Sequence, residues 1–176
     1  MSLIIREITA AGWFHLGYFG VLIPISAFRS RKVLLNAKQA LPSRTRHFQQ
    51  TALSVALLTA LSLSVAYLQR ISLFPRALPS PKAVFAGVGM YLVAVAIMRP
   101  YWRRAVERRV RIVQLFMPAT AAERAWWIAV SLLAGIGEEI TWRGVQATLA
   151  GALTGGFWTA ALVSSISFGL AHIVQG

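Results

Sequence analysis

Apolar residues gather along the chain in five runs close to 20 residues long, at 8–28, 49–68, 81–98, 126–150 and 157–174, with polar stretches between them. A helix of about 20 apolar residues crosses a hydrocarbon core of about 30 Å. Each run therefore predicts a transmembrane helix. The first predicts a retained anchor rather than a cleaved signal, because its apolar stretch exceeds the usual signal core and Pro24 sits near its end. Between the third and fourth runs, Trp102, Val106, Val110, Val113 and Met117 recur at three- and four-residue spacing while most arginines point away. That pattern predicts an interfacial amphipathic helix, bracketed by Pro100 and Pro118, whose ordinary role is to anchor on lipid headgroups. Thr120 followed by Glu123 then matches the capping box that opens a helix. The expected fold is all-α: a polytopic transmembrane helix bundle of about five spans plus one interfacial helix, in a single transmembrane domain over 1–176.

Composition agrees, since 57% hydrophobic residues in 176 is more than one soluble core needs. The chain has no cysteine, which excludes disulfides, thiolate metal sites and a cysteine nucleophile. Its net charge of +13 does not point to nucleic acid, because the cations lie in loops rather than on one face with stacking aromatics. Arg29, Arg31, Lys32, Lys38, Arg44 and Arg46 fall between the first two runs. Arg99, Arg103, Arg104, Arg108, Arg109, Arg111 and Arg124 fall between the third and fourth. The alternate side has only Arg6, Arg70, Arg76 and Lys82. Positive loops stay cytoplasmic, so the N-terminus is expected outside and the C-terminus inside.

The remaining cation, Arg143, lies within the fourth run together with Glu138 and Glu139. Three central charges cost on the order of 8–10 kcal/mol on insertion scales, whereas the best apolar residues of this run return only about 4 kcal/mol. The charges win, and the helix must be central. Residues four apart share a helical face, so Arg143 should pair with Glu139, leaving Glu138 turned about 100° away toward Trp142 and suited to general acid or base work. Gly137, Thr141, Gly144, Thr148 and Gly151 form a stripe of small residues for one close neighbouring helix. In the fifth run, Ala161, Ser165, Phe168 and His172 share a face. Measured from the run ends, Glu138 and His172 could differ in depth by about 10 Å. Ser164, Ser165 and Ser167 read as packing residues, His15 and His47 as structural or loop residues.

The ordered pair EExxxR, at Glu138, Glu139 and Arg143, and FxxxH, at Phe168 and His172, resembles the first two motifs of the CAAX protease and bacteriocin-processing (CPBP, or Abi) family of intramembrane glutamic endopeptidases. The resemblance covers 135–172, and it implies a prokaryotic cell membrane as the location. It further implies that Glu138 activates a water against the scissile amide of a membrane-associated or lipidated peptide. Glu139 and Arg143 would hold the catalytic helix, His172 would bind and polarise the water, Phe168 and Trp142 would support the site, and no cofactor would be required. The family's later motif, a histidine with an asparagine four residues on, is not among these residues. The chain is accordingly expected to be C-terminally incomplete, inactive by itself, and dependent on further spans or a partner chain to close the bundle. Two other classes fit the same residues: zinc chemistry with Glu138, Glu139 and His172 as ligands, although the HExxH spacing is absent, and a non-catalytic immunity protein, scaffold or proton-coupled transporter in which Glu139 and Arg143 fix helix register.

The expected topology is directly measurable in a chain without native cysteine. A single cysteine at Ser72 should react with an impermeant thiol reagent on intact cells, and one at Ser43 or Ala105 should not; the opposite pattern would invert the topology.

Overall fold

The computed structural model describes residues 7–35, 43–74 and 78–173. Arg6, Lys38, Arg76 and Val174, which entered the topology and span expectations, lie outside the described residues. Those described are helical, with no strand among them. They divide into two compact units, Met1–Leu73 with Pro118–Gly176, and Phe74–Met117.

In the first unit, α1 (Ala10–Gly17), a π-helical segment (Tyr18–Leu22) and α2 (Ile23–Leu35) run on without a break. Next comes α3 (Arg44–Gln69), opened by Ser43, whose hydroxyl accepts from the Arg46 N–H, and ended by Arg70 in the left-handed region at φ 54°. A second uninterrupted run lies beyond residue 120: α6 (Ala121–Glu138), a π-helical segment (Glu139–Gln146) and α7 (Ala147–Thr154). It begins on the predicted capping box. The Glu123 N–H donates to Thr120 Oγ1 at 3.1 Å, and the Thr120 N–H donates back to Glu123 Oε2 at 3.2 Å. Gly155 stops α7 at φ 70°, where a side chain would be strained, and Gly156 leads into α8 (Phe157–Ala171).

The second unit holds α4 (Pro81–Glu107), with Ser80 as its cap and Pro81 in its first turn, and the short α5 (Arg111–Phe116). Here the sequence expectation is corrected. Pro100 does not open a separate amphipathic helix; it lies inside α4, which continues to Glu107. Proline removes one N–H, and membrane helices tolerate the resulting gap. The break falls instead at Arg108–Val110, with Arg109 left-handed at φ 49°.

Among the described residues, three helices are long and apolar enough to cross a membrane, Ala10–Val33, Arg44–Gln69 and Pro81–Glu107. The fourth predicted span is the charged α6–α7 run, and the fifth is the shorter apolar α8. Within the first unit, α3 packs along α6, and α8 folds back on α7 and touches α2. Val65 and Ala66 of α3 meet Val145 and Leu149 in a buried core, flanked by Ile8, Leu16 and Leu73. Gln69 ties the end of α3 to the start of α1, accepting from the Thr9 N–H at 3.0 Å and donating to the Glu7 carbonyl at 3.0 Å.

The small-residue stripe does not serve one neighbour. A Cβ at Gly137 would collide with Thr59 Oγ1 of α3, and Thr141 bonds Ser62 of the same helix. A Cβ at Gly144 would strike Leu73, one at Gly151 would lie 3.6 Å from Ala160 of α8, and Thr148 is exposed. The π-helical turn in the middle of the stripe rotates its two halves toward different partners.

This packing makes two outcomes measurable. Gly137→Ala gains about 1 kcal/mol of helix propensity but overpacks against α3 at a cost of about 1–3 kcal/mol. Denaturant unfolding in bicelles should show a net loss that Thr59→Ala relieves; no loss would mean that α3 and α6 are not in close contact. The Glu123 carboxyl is held below its usual value of 4.5, first by the Ala119 N–H at 2.7 Å and then by the Thr120 N–H and Arg44, with burial opposing. A depressed acid stabilises above its unfolded pKa, and that contribution is lost as pH falls through the lower folded value. The melting-temperature gap between the parent and Glu123→Gln should therefore be larger at neutral pH than in strong acid, and a gap that widens on acidification would contradict this cap.

Candidate active site

Glu138 is the last residue of α6 and His172 the residue that caps α8. A two-residue turn, Gly155–Gly156, joins α7 to α8, so residues equally far from it along the two antiparallel arms lie side by side. Glu138 and His172 each stand 17 residues from Gly155. Their side chains accordingly meet, with His172 Nε2 at 3.2 Å from Glu138 Oε1. The depth difference expected from run ends is absent, because the hairpin and not the ends of the apolar runs sets the register.

The other imidazole nitrogen fixes the proton count. His172 Nδ1 lies 2.9 Å from the Phe168 carbonyl oxygen, which can only accept, so Nδ1 carries the hydrogen. The Nε2–Glu138 contact then needs one more proton, held on either partner. The pair is built to hold one mobile proton between a carboxylate and an imidazole, as general acid–base chemistry requires.

Aromatic side chains form its wall. The Phe168 ring lies 4.2 Å from that of His172 and meets Trp142 edge-on at 5.7 Å; Trp142 meets Phe19 edge-on, also at 5.7 Å. Trp142 is buried, and its backbone carbonyl accepts from the Ser164 hydroxyl at 2.8 Å. Ser167 donates to the Val163 carbonyl. Both hydroxyls are thus engaged with backbone in helix packing. Glu138 lines two cavities. One, of about 120 Å³, is bounded by Trp142, Arg143, Ser164, Ser165 and Phe168. The other, of about 190 Å³, opens toward α3 and the first π-helical segment and also includes His172.

Glu139 and Arg143 form the predicted ion pair, one turn apart. It faces outward from the unit, with Glu139 56% and Arg143 75% exposed, rather than lying buried inside it. The two adjacent carboxylates thus diverge, one to His172 and the other to Arg143. Among the described residues no three histidine, aspartate or glutamate side chains converge on a point where a metal could sit, and Glu139 would have to leave Arg143 to join Glu138 and His172.

Two features escaped the sequence reading. One is the π-helical form of Glu139–Gln146, a geometry that recurs at functional sites. The other is a buried hydrogen-bonded group, His15, Ser62, Thr141 and Gln146, behind that segment. Polar residues in three different apolar runs were its only trace in the sequence.

No curated protein and no solved structure matches the chain. Residues 120–176 match the family model of the type II CAAX prenyl endopeptidase Rce1-like proteins. The matched segment starts at the capping threonine of α6 and includes Glu138, Glu139, Trp142, Arg143, Phe168 and His172. Over that segment, the third of the chain that carries both motifs, the protein is similar to the Rce1-like type II CAAX prenyl endopeptidases.

Proposed function

We propose that this protein is an intramembrane endopeptidase in which Glu138 activates a water against a peptide bond of a membrane-associated or prenylated substrate. The observation that carries this reading is the contact between Glu138 and His172, which together line a cavity of about 190 Å³, inside the segment that matches the family model. Amide hydrolysis needs a base for water and an acid for the leaving amine. Glu138 takes a proton from water as the water oxygen bonds to the scissile carbonyl carbon. It returns that proton to the amide nitrogen as the carbon–nitrogen bond breaks. His172, aimed by the Phe168 carbonyl, holds the water and the second proton position. The Glu139–Arg143 pair takes the second carboxylate out of competition for His172, so Glu138 alone works in the site. Trp142 and Phe168 shape an apolar wall against which a lipidated or apolar peptide can lie. No metal has a part in this scheme.

The test uses the full-length natural protein reconstituted in bilayers and a library of membrane-anchored and prenylated peptides. Glu138→Gln should lower turnover by about 10²–10⁴-fold, the usual worth of a general base, with the amount of inserted protein unchanged. Turnover that survives this substitution would remove Glu138 from the reaction. Activity lost to a strong chelator and restored by zinc would move the chemistry to a metal centre.

A further inference from the structure

His15 sits fully buried in α1, outside the Glu138–His172 pair. Its Nδ1 lies 3.0 Å from Gln146 Oε1 and its Nε2 3.1 Å from Ser62 Oγ, and Ser62 Oγ lies 2.9 Å from Thr141 Oγ1. All four side chains are buried. One distribution of hydrogens satisfies every contact with a neutral imidazole. The amide oxygen of Gln146 only accepts, so Nδ1–H donates to it; bare Nε2 accepts from the Ser62 hydroxyl, whose oxygen accepts from Thr141. A protonated ring would instead place a net charge among three neutral partners, which is costly in a buried site.

Both ends of this chain of hydrogen bonds, Thr141 and Gln146, lie in the same π-helical segment, five residues apart. In an α-helix, at about 100° per residue, they would stand about 140° apart and could not both face α1 and α3. A π-helix bonds i to i+5 and brings residues five apart onto one face. The network therefore closes on the π form and not on the α form. Other contacts with α1 and its π-helical segment fall on the same turn: the His15 ring lies 4.4 Å from Phe19, which meets Trp142, and a Cβ at Gly20 would come within 3.1 Å of Gln146 Nε2.

We propose that His15 is a positioning residue: through Gln146 and Ser62 it clamps Glu139–Gln146 in π-helical register and so keeps Glu138 aimed at His172. A segment released to α geometry would turn α6 by about one residue, near 100°, relative to α7. Glu138 ends α6 just before the segment, and α8 packs on α7 just after it, so the alignment of Glu138 with His172 depends on that turn. The consequence for catalysis rests on the peptidase reading above; the clamp itself does not.

Two single-cysteine reporters in the full chain separate loss of register from general loosening: Val145→Cys, fully buried within the segment, and Ala52→Cys, buried in α3. Each is combined with His15→Leu, which loses both hydrogen bonds, and with His15→Asn, which keeps a donor toward Gln146. Alkylation by a small neutral thiol reagent in bicelles should speed up about tenfold or more at Val145→Cys in His15→Leu, the factor expected for one lost buried hydrogen bond. It should speed up less in His15→Asn and stay unchanged at Ala52→Cys. Equal acceleration at both reporters, or none at Val145→Cys, overturns the clamp. Should His15→Leu fail to accumulate, Gln146→Leu breaks the same network from its other end and is judged by the same pattern. With a peptide that the parent cleaves, His15→Leu should lower kcat with KM unchanged, since alignment and not binding is lost. A full-length natural protein that cleaves nothing counts against the peptidase reading, and the alkylation pattern still decides the clamp.

Discussion

Two adjacent carboxylates on one helix cannot share a partner, and in a helix of membrane-spanning length neither can be left without one. Successive residues diverge by about 100°, so each must be answered by a different element. Glu139 is answered locally by Arg143 on the same helix. Glu138 can be answered only from outside, and His172 reaches it because the helix that carries it folds straight back over a two-glycine turn. The hairpin of α7 and α8, the outward direction of the Arg143 pair and the aromatic lining between them are consequences of that division.

The π-helical turn answers the same demand. Its middle holds Trp142, whose ring must reach both Phe19 on the α1 side and Phe168 on α8. Its carbonyl accepts from the Ala147 N–H five residues on and from the Ser164 hydroxyl. Gly137 and Thr141 are held against α3 on one side of the turn, and Gly151 meets α8 on the other. A straight α-helix would carry the small residues along one stripe and could not serve both neighbours. The turn uses an uncommon backbone form, and the hydrogen bonds from α1 and α3 supply the stability which that form lacks intrinsically.

The legible part of the sequence was local or periodic. The capping box at Thr120 and Glu123 depends on residues three apart, and the Glu139–Arg143 pair on residues four apart; both stand as read. The apolar runs located the helices because hydrophobic length is itself the signal. Pro100 misled because proline ends helices in water, whereas α4 is of membrane-crossing length and apolarity and carries it in its interior. The meeting of Glu138 with His172 was encoded, but in distances from Gly155 rather than from the ends of apolar runs. The π-helical segment was not legible at all. Nothing within Glu139–Gln146 prefers it over an α-helix; its determinants are His15 and Ser62, more than 70 residues away in sequence, so only tertiary packing discloses them.

If the proposed peptidase reading holds, the size of the smaller cavity at Glu138 bears on how a substrate would arrive. About 120 Å³ holds a few waters at about 30 Å³ each, whereas pockets that enclose a small ligand run to about 300–1,000 Å³. On that reading, the space beside Glu138, Trp142 and Phe168 therefore suits water and not the peptide. In the peptidase reading a scissile bond approaches this cavity from outside it, and Arg143, mostly exposed, is among the residues that line it. Because Glu139 already neutralises Arg143, an apolar or lipidated chain passing that rim meets a paired charge rather than a bare one, at a smaller desolvation cost. In the peptidase reading, the second glutamate thus does more than brace a helix: it makes the entrance to the first one passable for an apolar substrate.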